Sequence, residues 1–353
     1  MSNRLHQFLF LMSTLLLNAC QTSSKQDPPI ILTNPPLTDG GSVSQSPLPD
    51  SGNTTTPPPL PESLFQSKVC SNVYTLAAPY AVLPGTLLLE ISGMSPSLLN
   101  EFILWAHNDS GDAAQIYAVH KNGTHLATVT LDDIVATDFE DMASGFCPNR
   151  QDYCLYIADV GDNRHQRETL QIHILKEPVV DDSLSEQTVS YALEKTITLT
   201  FSGEKPNIEA FVVNNQNNRG YLFEKADNQM PRLFVVDLEG ADQQTIGDTS
   251  TFAAPRLPDS TGINTLITAG AYHSQAKRLV LKTYAGVFEY RFIGDQTLED
   301  IADVTPIIIS ERPAWELQGE SITYSYWGDT ILTSSEDPTN TGSQQVSEFR
   351  CTE

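Results

Sequence analysis

Short runs rich in β-branched and aromatic residues recur from residue 90 onward, and many alternate between apolar and polar positions. The clearest are LATVTL, LYIADV, TITLTF, YLFEKA, LFVVDL, LVLKTY and VFEYRF. Runs of this length, bounded by turn-forming residues, are typical of β-strands. Because convincing amphipathic helical patterns are missing, the sequence predicts an all-β sandwich, barrel or propeller.

An internal repeat narrows this choice. In five segments, a first strand is followed about 11 to 15 residues later by a second apolar strand that ends in polar residues. Successive segments start about 48 to 69 residues apart, which is typical of propeller blades. The segments start at Ser92, Glu140, Glu209, Thr268 and Glu320. We predict a five-bladed β-propeller, with six blades as the alternative if residues 176 to 206 contain an additional blade.

The last blade is short of a strand. After Glu320 the chain has room for three strands, whereas residues 70 to 83 form an unassigned strand at the other end of the body. A propeller can close when an N-terminal strand completes the final blade, and we predict this closure here. Cys70 and Cys351 would then be neighbours on antiparallel strands, and a disulfide between them would lock the ring.

The N-terminal residues predict export. An apolar run after Arg4 is too short to cross a bilayer, as in a cleaved signal peptide. The run ends in LNAC, residues 17–20, which resembles a bacterial lipobox. We predict a lipoprotein signal peptide over residues 1–19 and a lipidated Cys20 that anchors the chain in the membrane. An ordinary cleaved signal is the alternative. Gln21, rather than Asp, implies sorting to the outer membrane.

Residues 20–67 combine the lipidated cysteine with a segment dominated by Pro, Ser, Thr, Gly, Asn and Asp, such as NPPLTDGGS and TTTPPPLPES. Such a composition buries too little apolar area to offset the entropy lost on ordering. It predicts a disordered tether that proline keeps partly extended. The propeller domain is then residues 68–353.

Four cysteines remain besides Cys20. An even number in an exported chain predicts two disulfides. Cys147 and Cys154 flank the six-residue loop PNRQDY, so we predict that they pair locally. A zinc site is the alternative, but this spacing without nearby histidines does not suit zinc.

The formal net charge of −24 limits the possible partners. Nucleic acid phosphates would be repelled, so we expect no nucleic acid partner. Cations, basic partners or metal-bridged anions are compatible with such a surface. The alternative is that the acidic surface serves solubility.

Propeller topology predicts where the polar residues meet. The first strand of each blade starts at one face of the disc, and the second strand ends at the same face. The starts of the first strands and the ends of the second strands therefore surround one mouth of the channel. Three of the five starts are carboxylates: Glu140, Glu209 and Glu320. The polar residues at the second-strand ends include His107, Asn108, Asp109, Asp159, Asp162, Asn163, Arg164, Lys225, Lys282 and Glu336.

Clustered carboxylates raise one another's pKa unless a cation neutralises them. Oxygen ligands without thiol or imidazole partners favour Ca²⁺, so Glu140, Glu209 and Glu320 are candidate calcium ligands, with Asp159 and Asp162 nearby. The alternative is a set of carboxylates bonded to backbone amides and neutralised by basic side chains, and catalysis is a third possibility. The candidate ligand-binding residues around the mouth are Asn108, Asp109, Asn163, Arg164, Lys225 and Lys282.

Several motifs carry a resemblance to known proteins. LWAHNDSGD, DFEDMASG, LYIADVGDNR, NIEAFVV, LVLKTY and LQGESITYS are similar to those of exported bacterial propellers of largely unassigned function. The chain also resembles, more distantly, phytase-like, esterase-like and SdiA-regulated propellers. That resemblance implies Ca²⁺ in the channel and glutamates near strand starts, matched here by Glu140, Glu209 and Glu320. The fourth segment departs from it at Thr268, and the absence of a dense basic cluster disfavours phytase activity.

Three functions follow from this site, and the third is glycoside cleavage by paired carboxylates, which requires carboxyl groups about 5.5 Å or about 6.5–9.5 Å apart. The first is non-catalytic: an outer-membrane-anchored propeller that binds a cation, small molecule or partner protein at its acidic mouth. The absence of a G-x-S-x-G motif favours it. The alternative is a Ca²⁺-dependent hydrolase of phosphate esters or lactones, in which Asp138 or His107 is the general base and Arg164 holds the anion.

Overall fold

The computed structural model describes residues 68–83, 87–226, 230–255, 266–311, 316, 318–337 and 345–352. The predictions for the signal peptide, Cys20 and the tether lie outside these ranges. Within them, no helix is long and apolar enough to span a membrane. The helices found there are two short 3-10 helices, Asp248–Ser250 and Leu298–Asp303.

The described body is built from strands, as the alternating patterns predict. In chain order they are β1 (Tyr74–Val82), β2 (Ile91–Pro96), β3 (Ile103–Asn108), β4 (Gln115–His120), β5 (His125–Leu131), β6 (Phe139–Phe146), β7 (Tyr153–Asp159), β8 (Leu170–Lys176), β9 (Gln187–Tyr191), β10 (Lys195–Phe201), β11 (Ile208–Asn214), β12 (Arg219–Glu224), β13 (Arg232–Asp237), β14 (Gln243–Ile246), β15 (Thr251–Ala253), β16 (Ile267–His273), β17 (Arg278–Thr283), β18 (Gly286–Arg291), β19 (Ile307–Glu311), β20 (Gln318–Tyr324), β21 (Thr330–Glu336) and β22 (Gln345–Cys351).

The strands form five sheets, which are the blades of a β-propeller. From the channel outward, blade 1 is β2-β3-β4-β5-β9, blade 2 is β6-β7-β8-β10-β14, blade 3 is β11-β12-β13-β15, blade 4 is β16-β17-β18-β19 and blade 5 is β20-β21-β22-β1. The innermost strands β2, β6, β11, β16 and β20 contact one another in a closed ring. The five-bladed prediction is therefore confirmed.

The stretch from 176 to 206 contains β9 and β10 but no sixth blade. β10 is the fourth strand of blade 2, whereas β9 pairs in parallel with β5 at the outer edge of blade 1. The same exchange recurs one blade later, where β14 pairs in parallel with β10. In both cases the connection between the third and fourth strands of one blade adds a strand to the preceding blade. Neighbouring blades are thereby tied together at the rim.

Blade 5 closes the ring as predicted. Strand β1 pairs with β22 in antiparallel fashion, and Tyr74 lies opposite Cys351. The sulfurs of Cys70 and Cys351 are 2.09 Å apart, and those of Cys147 and Cys154 are 1.97 Å apart. Both predicted cysteine pairings are confirmed, and the zinc alternative for Cys147 and Cys154 is wrong because their sulfurs are bonded to each other.

The core consists of layers between neighbouring blades. Five apolar clusters each combine residues from two adjacent blades. Trp105, Tyr156 and Phe223 are fully buried in three of these layers. Their rings therefore pack between blades, and the indole nitrogen of Trp105 donates to the buried Glu177 carboxylate at 2.9 Å. Every blade depends on its neighbours for burial of its two faces.

Candidate functional site: the acidic mouth

Each innermost strand has a pairing irregularity near its start. The register with the second strand shifts at Ser92, Glu140, Glu209, Thr268 and the Gly319–Glu320 pair. These positions are the five segment starts aligned from the sequence. A bulge leaves its extra residue out of the ladder and re-aims the side chain. The five starts therefore lie around one mouth of the channel.

The two hydroxyl positions tie neighbouring strands together. The Ser92 hydroxyl donates to the backbone carbonyl of Glu140 at 2.5 Å. The Thr268 hydroxyl donates to the backbone carbonyl of Gly319 at 2.8 Å. Each bond joins one innermost strand to the next, so these hydroxyls stabilise the ring. The other three starts, Glu140, Glu209 and Glu320, are acidic.

Carboxylates from strand starts and from second-strand ends converge at the mouth, as the topology predicts. One oxygen each of Asp109, Asp138 and Glu140 lie within 4.8 Å of one another. Asp109, Glu320 and Glu336 form a second group with the same spacing. Asp109 belongs to both triads. We call these five carboxylates and Glu209 the acidic mouth.

Glu140 is the most enclosed carboxylate of the first triad. The residue is 2 % exposed, and none of the described residues donates a hydrogen bond to its carboxylate. Gly161 lies directly behind it: a Cβ there would be 2.0 Å from Glu140 Oε1 and 2.5 Å from Asp138 Oδ2. Burial, with the neighbouring carboxylates of Glu209, Asp109 and Asp138, raises the Glu140 pKa well above its ordinary value.

Among the described residues, Lys225 is the basic side chain that contacts the carboxylates of the mouth. Its Nζ lies 3.0 Å from Glu209 Oε2 and donates to the Tyr284 hydroxyl at 3.0 Å. That hydroxyl donates to Glu320 Oε1 at 2.6 Å. Burial opposes the charge of Lys225, yet the attraction of Glu209, Tyr284 and Glu320 outweighs it and raises the Lys225 pKa. The predicted place of Lys225 at the mouth agrees with these contacts.

One lysine does not neutralise the acidic mouth. Burial, and then repulsion from Asp138, Glu320 and Glu209, raises the pKa of Asp109 to about 7. Burial and the neighbouring Glu320 raise the pKa of Glu336 to about 9. Burial also raises the pKa of Asp138 and of Glu209. Part of the cluster is therefore protonated near neutral pH.

Three of the predicted acid, base or ligand residues lie in other surroundings. His107 is fully buried beside Phe139, with Nδ1 2.9 Å from the Asn108 carbonyl oxygen, and burial lowers its pKa. Asp159 is buried and forms an ion pair with Arg167 at 2.7 Å. Asp162 accepts the backbone N–H groups of residues 166 and 167 at 2.9 and 2.8 Å. These contacts describe an inter-blade histidine and two structural aspartates.

Of the two predicted asparagine ligands, one stabilises its own turn and the other is linked to the mouth. Asn108 Nδ2 donates to Asp112 Oδ2 and to the carbonyl of residue 87, both at 2.7 Å, which stabilises its own turn. Asn163 accepts a hydrogen bond from Asn207 at 3.1 Å, and Asn207 also donates to Glu209 at 3.0 Å. Asn163 is therefore linked to the mouth through Asn207.

The two remaining basic candidates are not counter-charges of the triads. Arg164 is exposed and forms no ion pair with a described residue. Lys282 is buried and forms an ion pair with the buried Glu316. Arg167 has the contacts that were expected of Arg164: it pairs with Asp159, and its charge lowers the pKa of Asp138 against the larger effect of burial. Sequence spacing alone could not distinguish Arg167 from Arg164, three residues away in the same loop.

Asp141, one residue beyond Glu140, holds the ring together from inside. Its Oδ2 accepts the backbone N–H groups of Phe211 at 2.9 Å and Gly270 at 3.1 Å. Its Oδ1 accepts the N–H of Met142 at 2.8 Å. The carboxylate thus joins innermost strands of blades 2, 3 and 4. Burial raises its pKa well above the ordinary value, although the three hydrogen bonds act in the opposite direction.

Comparison with known proteins gives a likeness to solved propeller structures. No protein-family model matches the chain, and no curated protein matches it. A crystal structure of RRP9 WD40 repeats has 10 % identity and a TM-score of 0.41, covering 81 % of this chain and 99 % of that one. A structure of U3-55K has 10 % identity and a TM-score of 0.38, covering 73 % and 80 %. A crystal structure of Raptor from Chaetomium thermophilum has 9 % identity and a TM-score of 0.42, covering 80 % and 29 %.

The class of protein is defined by the sheet topology of the chain itself. Five radial sheets, a closed ring of innermost strands and an N-terminal strand that completes the last sheet make it a five-bladed β-propeller. Its distinguishing feature is the acidic mouth, where two carboxylate triads share Asp109.

Proposed function

We propose that the protein is an exported, lipid-anchored binding propeller whose acidic mouth takes up a divalent cation, Ca²⁺, without catalysing a reaction. A propeller supports a binding or scaffold role because its rigid blades hold side chains from distant parts of the sequence around one opening. The observation that carries the proposal is Glu140, a buried carboxylate with no described hydrogen-bond donor that faces Asp109 and Asp138.

The donor chemistry supports calcium among the divalent cations. The two triads present carboxylate oxygens and no thiol or imidazole, which is the ligand set of a hard cation. Ca²⁺ takes about six to eight oxygen ligands in flexible arrangements that include water. Asp109, Asp138 and Glu140 would hold the ion from one side, and Glu320 and Glu336 from the other. The cation would also supply the positive charge that Lys225 does not provide.

A non-catalytic role is supported by where the proposed hydrolytic residues lie. Asp138 is in the acidic mouth, but His107 is enclosed between blades and Arg164 has no ion-pair contact with the described residues of the mouth. A hydrolase would need a base and an anion-binding group beside the metal. The described part of the mouth offers carboxylates and one paired lysine, which suit cation binding better than hydrolysis.

Export and anchoring rest on the N-terminal sequence. The LNAC motif and the tether support a mature chain that begins at an acylated Cys20, with Gln21 directing it to the outer membrane. We expect cells fed radiolabelled palmitate to label the wild-type protein, and Cys20→Ser to remain unlabelled. An equal label on both proteins, or none on either, would contradict the anchor.

Thermal melting tests the calcium proposal. A ligand that binds only the folded state stabilises it by about 2.7 kcal/mol at a hundredfold excess over Kd. We expect saturating Ca²⁺ to raise the melting temperature of the purified protein by roughly 5 °C at pH 8, and EDTA to reverse the gain. Glu140→Gln should abolish most of the gain. Glu168→Gln is the control, because Glu168 is an exposed partner of Lys205 outside the mouth. A wild-type protein that does not respond to Ca²⁺ would overturn the proposal.

The calcium effect should also depend on pH. The pKa values of Asp109, about 7, and Glu336, about 9, are raised above those of unfolded chains. The folded state therefore binds more protons, and the stability due to these groups is lost as pH rises from about 4 toward 7 and 9. Because Ca²⁺ replaces these protons, its effect on the melting temperature should be larger at pH 8 than at pH 5. Equal shifts in melting temperature at both pH values would indicate that Ca²⁺ binds outside the acidic mouth.

A further inference from the structure

The channel has a second opening at the end opposite the acidic mouth. All five innermost strands begin at the mouth, so their last residues meet at the far end. A cavity of about 80 Å³ lies there, and we call it the distal pocket. Its lining includes Ser95, Ser144, Val213, Tyr272 and Thr323, one residue from each innermost strand.

The distal pocket is uncharged although the chain has a net charge of −24. None of the described residues that line it is Asp, Glu, Lys or Arg. His273 also lines it, and burial lowers the His273 pKa to about 4, so that the ring is neutral at pH 7. Transferring an ionic group into a pocket without a counter-charge is unfavourable. The pocket therefore suits a neutral ligand.

Asn215 supplies a fixed hydrogen-bond donor. The backbone N–H of Phe146 donates to Asn215 Oδ1 at 2.9 Å, which determines the orientation of the amide. A Cβ at Gly145 would lie 2.6 Å from this oxygen, so glycine is what allows the amide to lie against β6. The Asn215 backbone is held as well, by donation to the Ser274 hydroxyl at 2.9 Å. Asn215 Nδ2 is left as a donor, and no described residue accepts from it.

A hydroxyl pair supplies an acceptor. Ser144 donates its one hydrogen to the carbonyl oxygen of Pro96 at 2.5 Å. Ser95, 2.7 Å from the Ser144 oxygen, must therefore be the donor in that contact. The lone pairs of Ser95 Oγ then remain for a ligand. The half-buried rings of Tyr272 and Tyr326 add aromatic walls.

We propose that the distal pocket binds the ring of a neutral sugar. The fixed amide donor of Asn215, the hydroxyl acceptor of Ser95 and the tyrosine faces match the hydroxyl groups and C–H faces of such a ring, and the absence of charge disfavours acidic or amino sugars. At about 10–15 Å³ for each water, the cavity holds on the order of five waters. Ring hydroxyls of a monosaccharide would replace these waters. The site is separate from the acidic mouth and does not depend on Ca²⁺.

Ligand-observed NMR and calorimetry on the purified protein test this proposal. The probes are glucose, galactose and N-acetylglucosamine, with glucuronate and glucosamine as charged relatives. We expect at least one neutral sugar to bind, and its charged relatives to bind about tenfold more weakly or less. Asn215→Asp keeps the acceptor for the Phe146 N–H but replaces the donor with a carboxylate, so we expect about tenfold weaker binding.

The same turn provides the matched control. Asn217→Asp makes the same charge change at an exposed residue that does not line the pocket and contacts Tyr221. Its affinity for the sugar should equal that of the wild type, as should that of Glu140→Gln. If Asn215→Asp does not fold, Ser95→Ala is the second variant, with about fivefold weaker binding expected. Failure of every neutral sugar to bind the folded wild type, or unchanged affinity in the pocket variant that folds, overturns the proposal.

Discussion

Replacing Cys70 and Cys351 with serine is expected to reduce the free energy of unfolding by about 5 kcal/mol in the chain-entropy account of disulfides. The bond joins residues 281 positions apart and connects the third strand of blade 5 to the segment that leads into its fourth. Without the bond, this long loop is no longer closed in the unfolded state, so the conformational entropy of the unfolded chain is higher. The loss is large beside the 5–15 kcal/mol typical of whole domains, and urea denaturation followed by circular dichroism measures it.

The second cysteine pair is the internal control for this experiment. Cys147 and Cys154 are separated by 7 positions across the β6–β7 hairpin. The same account gives about 2.5 kcal/mol for so short a loop. The double serine variant of this pair should therefore be about 2 to 3 kcal/mol more stable than the variant that opens the ring. Equal losses from the two pairs would contradict the view that ring closure is what the Cys70–Cys351 bond stabilises.

The second large effect is expected at Asp141. Asp141→Ala leaves three backbone N–H groups in the ring without their acceptor, those of Met142, Phe211 and Gly270. Buried donors left unsatisfied cost about 1–3 kcal/mol each, and partial relaxation reduces the sum. We expect a loss of about 3–5 kcal/mol in the free energy of unfolding, measured by the same urea titration.

Replacement of Glu140, the chain neighbour of Asp141, should not reduce the free energy of unfolding. Glu140→Gln removes a buried carboxylate that its acidic neighbours repel, so in EDTA this variant should be as stable as the wild type or slightly more stable. The contrast distinguishes a structural carboxylate from a ligand-binding one at adjacent positions.

The Asp141 prediction has a clear contrary outcome. If the free energy of unfolding of Asp141→Ala were within about 1 kcal/mol of the wild-type value, the ring would not depend on this carboxylate.

The repeat explains how much of the fold could be predicted. A pair of strands about 11 to 15 residues apart appears once in each blade, because each blade must present an apolar first and second strand to its two neighbours. The spacing of these pairs predicts the five starts, and a pairing irregularity occurs at every one of them. The cysteine positions predict the closure, which the Cys70–Cys351 bond confirms.

The exchanged strands β9 and β14 could not be predicted in the same way. QTVSY and QQTI are short, and five of the nine residues are exposed, so no apolar pattern distinguishes a rim strand from a loop. Their pairing partners belong to the preceding blade and lie tens of residues away. Parallel pairing at a rim is decided by how the loop crosses between blades, which composition does not encode.

Side-chain direction limited the prediction of the site. In "DFED" the sequence contains three carboxylates within four positions, and only the bulge decides that Glu140 faces the mouth while Asp141 binds inside the ring. The basic residues present the same difficulty. Lys282 forms an ion pair with Glu316. Arg167, and not Arg164, forms an ion pair with Asp159. Topology predicts which chain segments meet, whereas loop geometry decides which atoms do.

An anomalous difference map from crystals of the protein grown with a lanthanide in place of Ca²⁺ tests whether the acidic mouth binds a cation. We expect one strong peak in the mouth, within coordination distance of Asp109 and of carboxylate oxygens from at least one triad. We expect no such peak in crystals of Glu140→Gln. A wild-type map with no peak at the mouth, or with peaks at surface carboxylates alone, would contradict the assignment of this opening as a cation site.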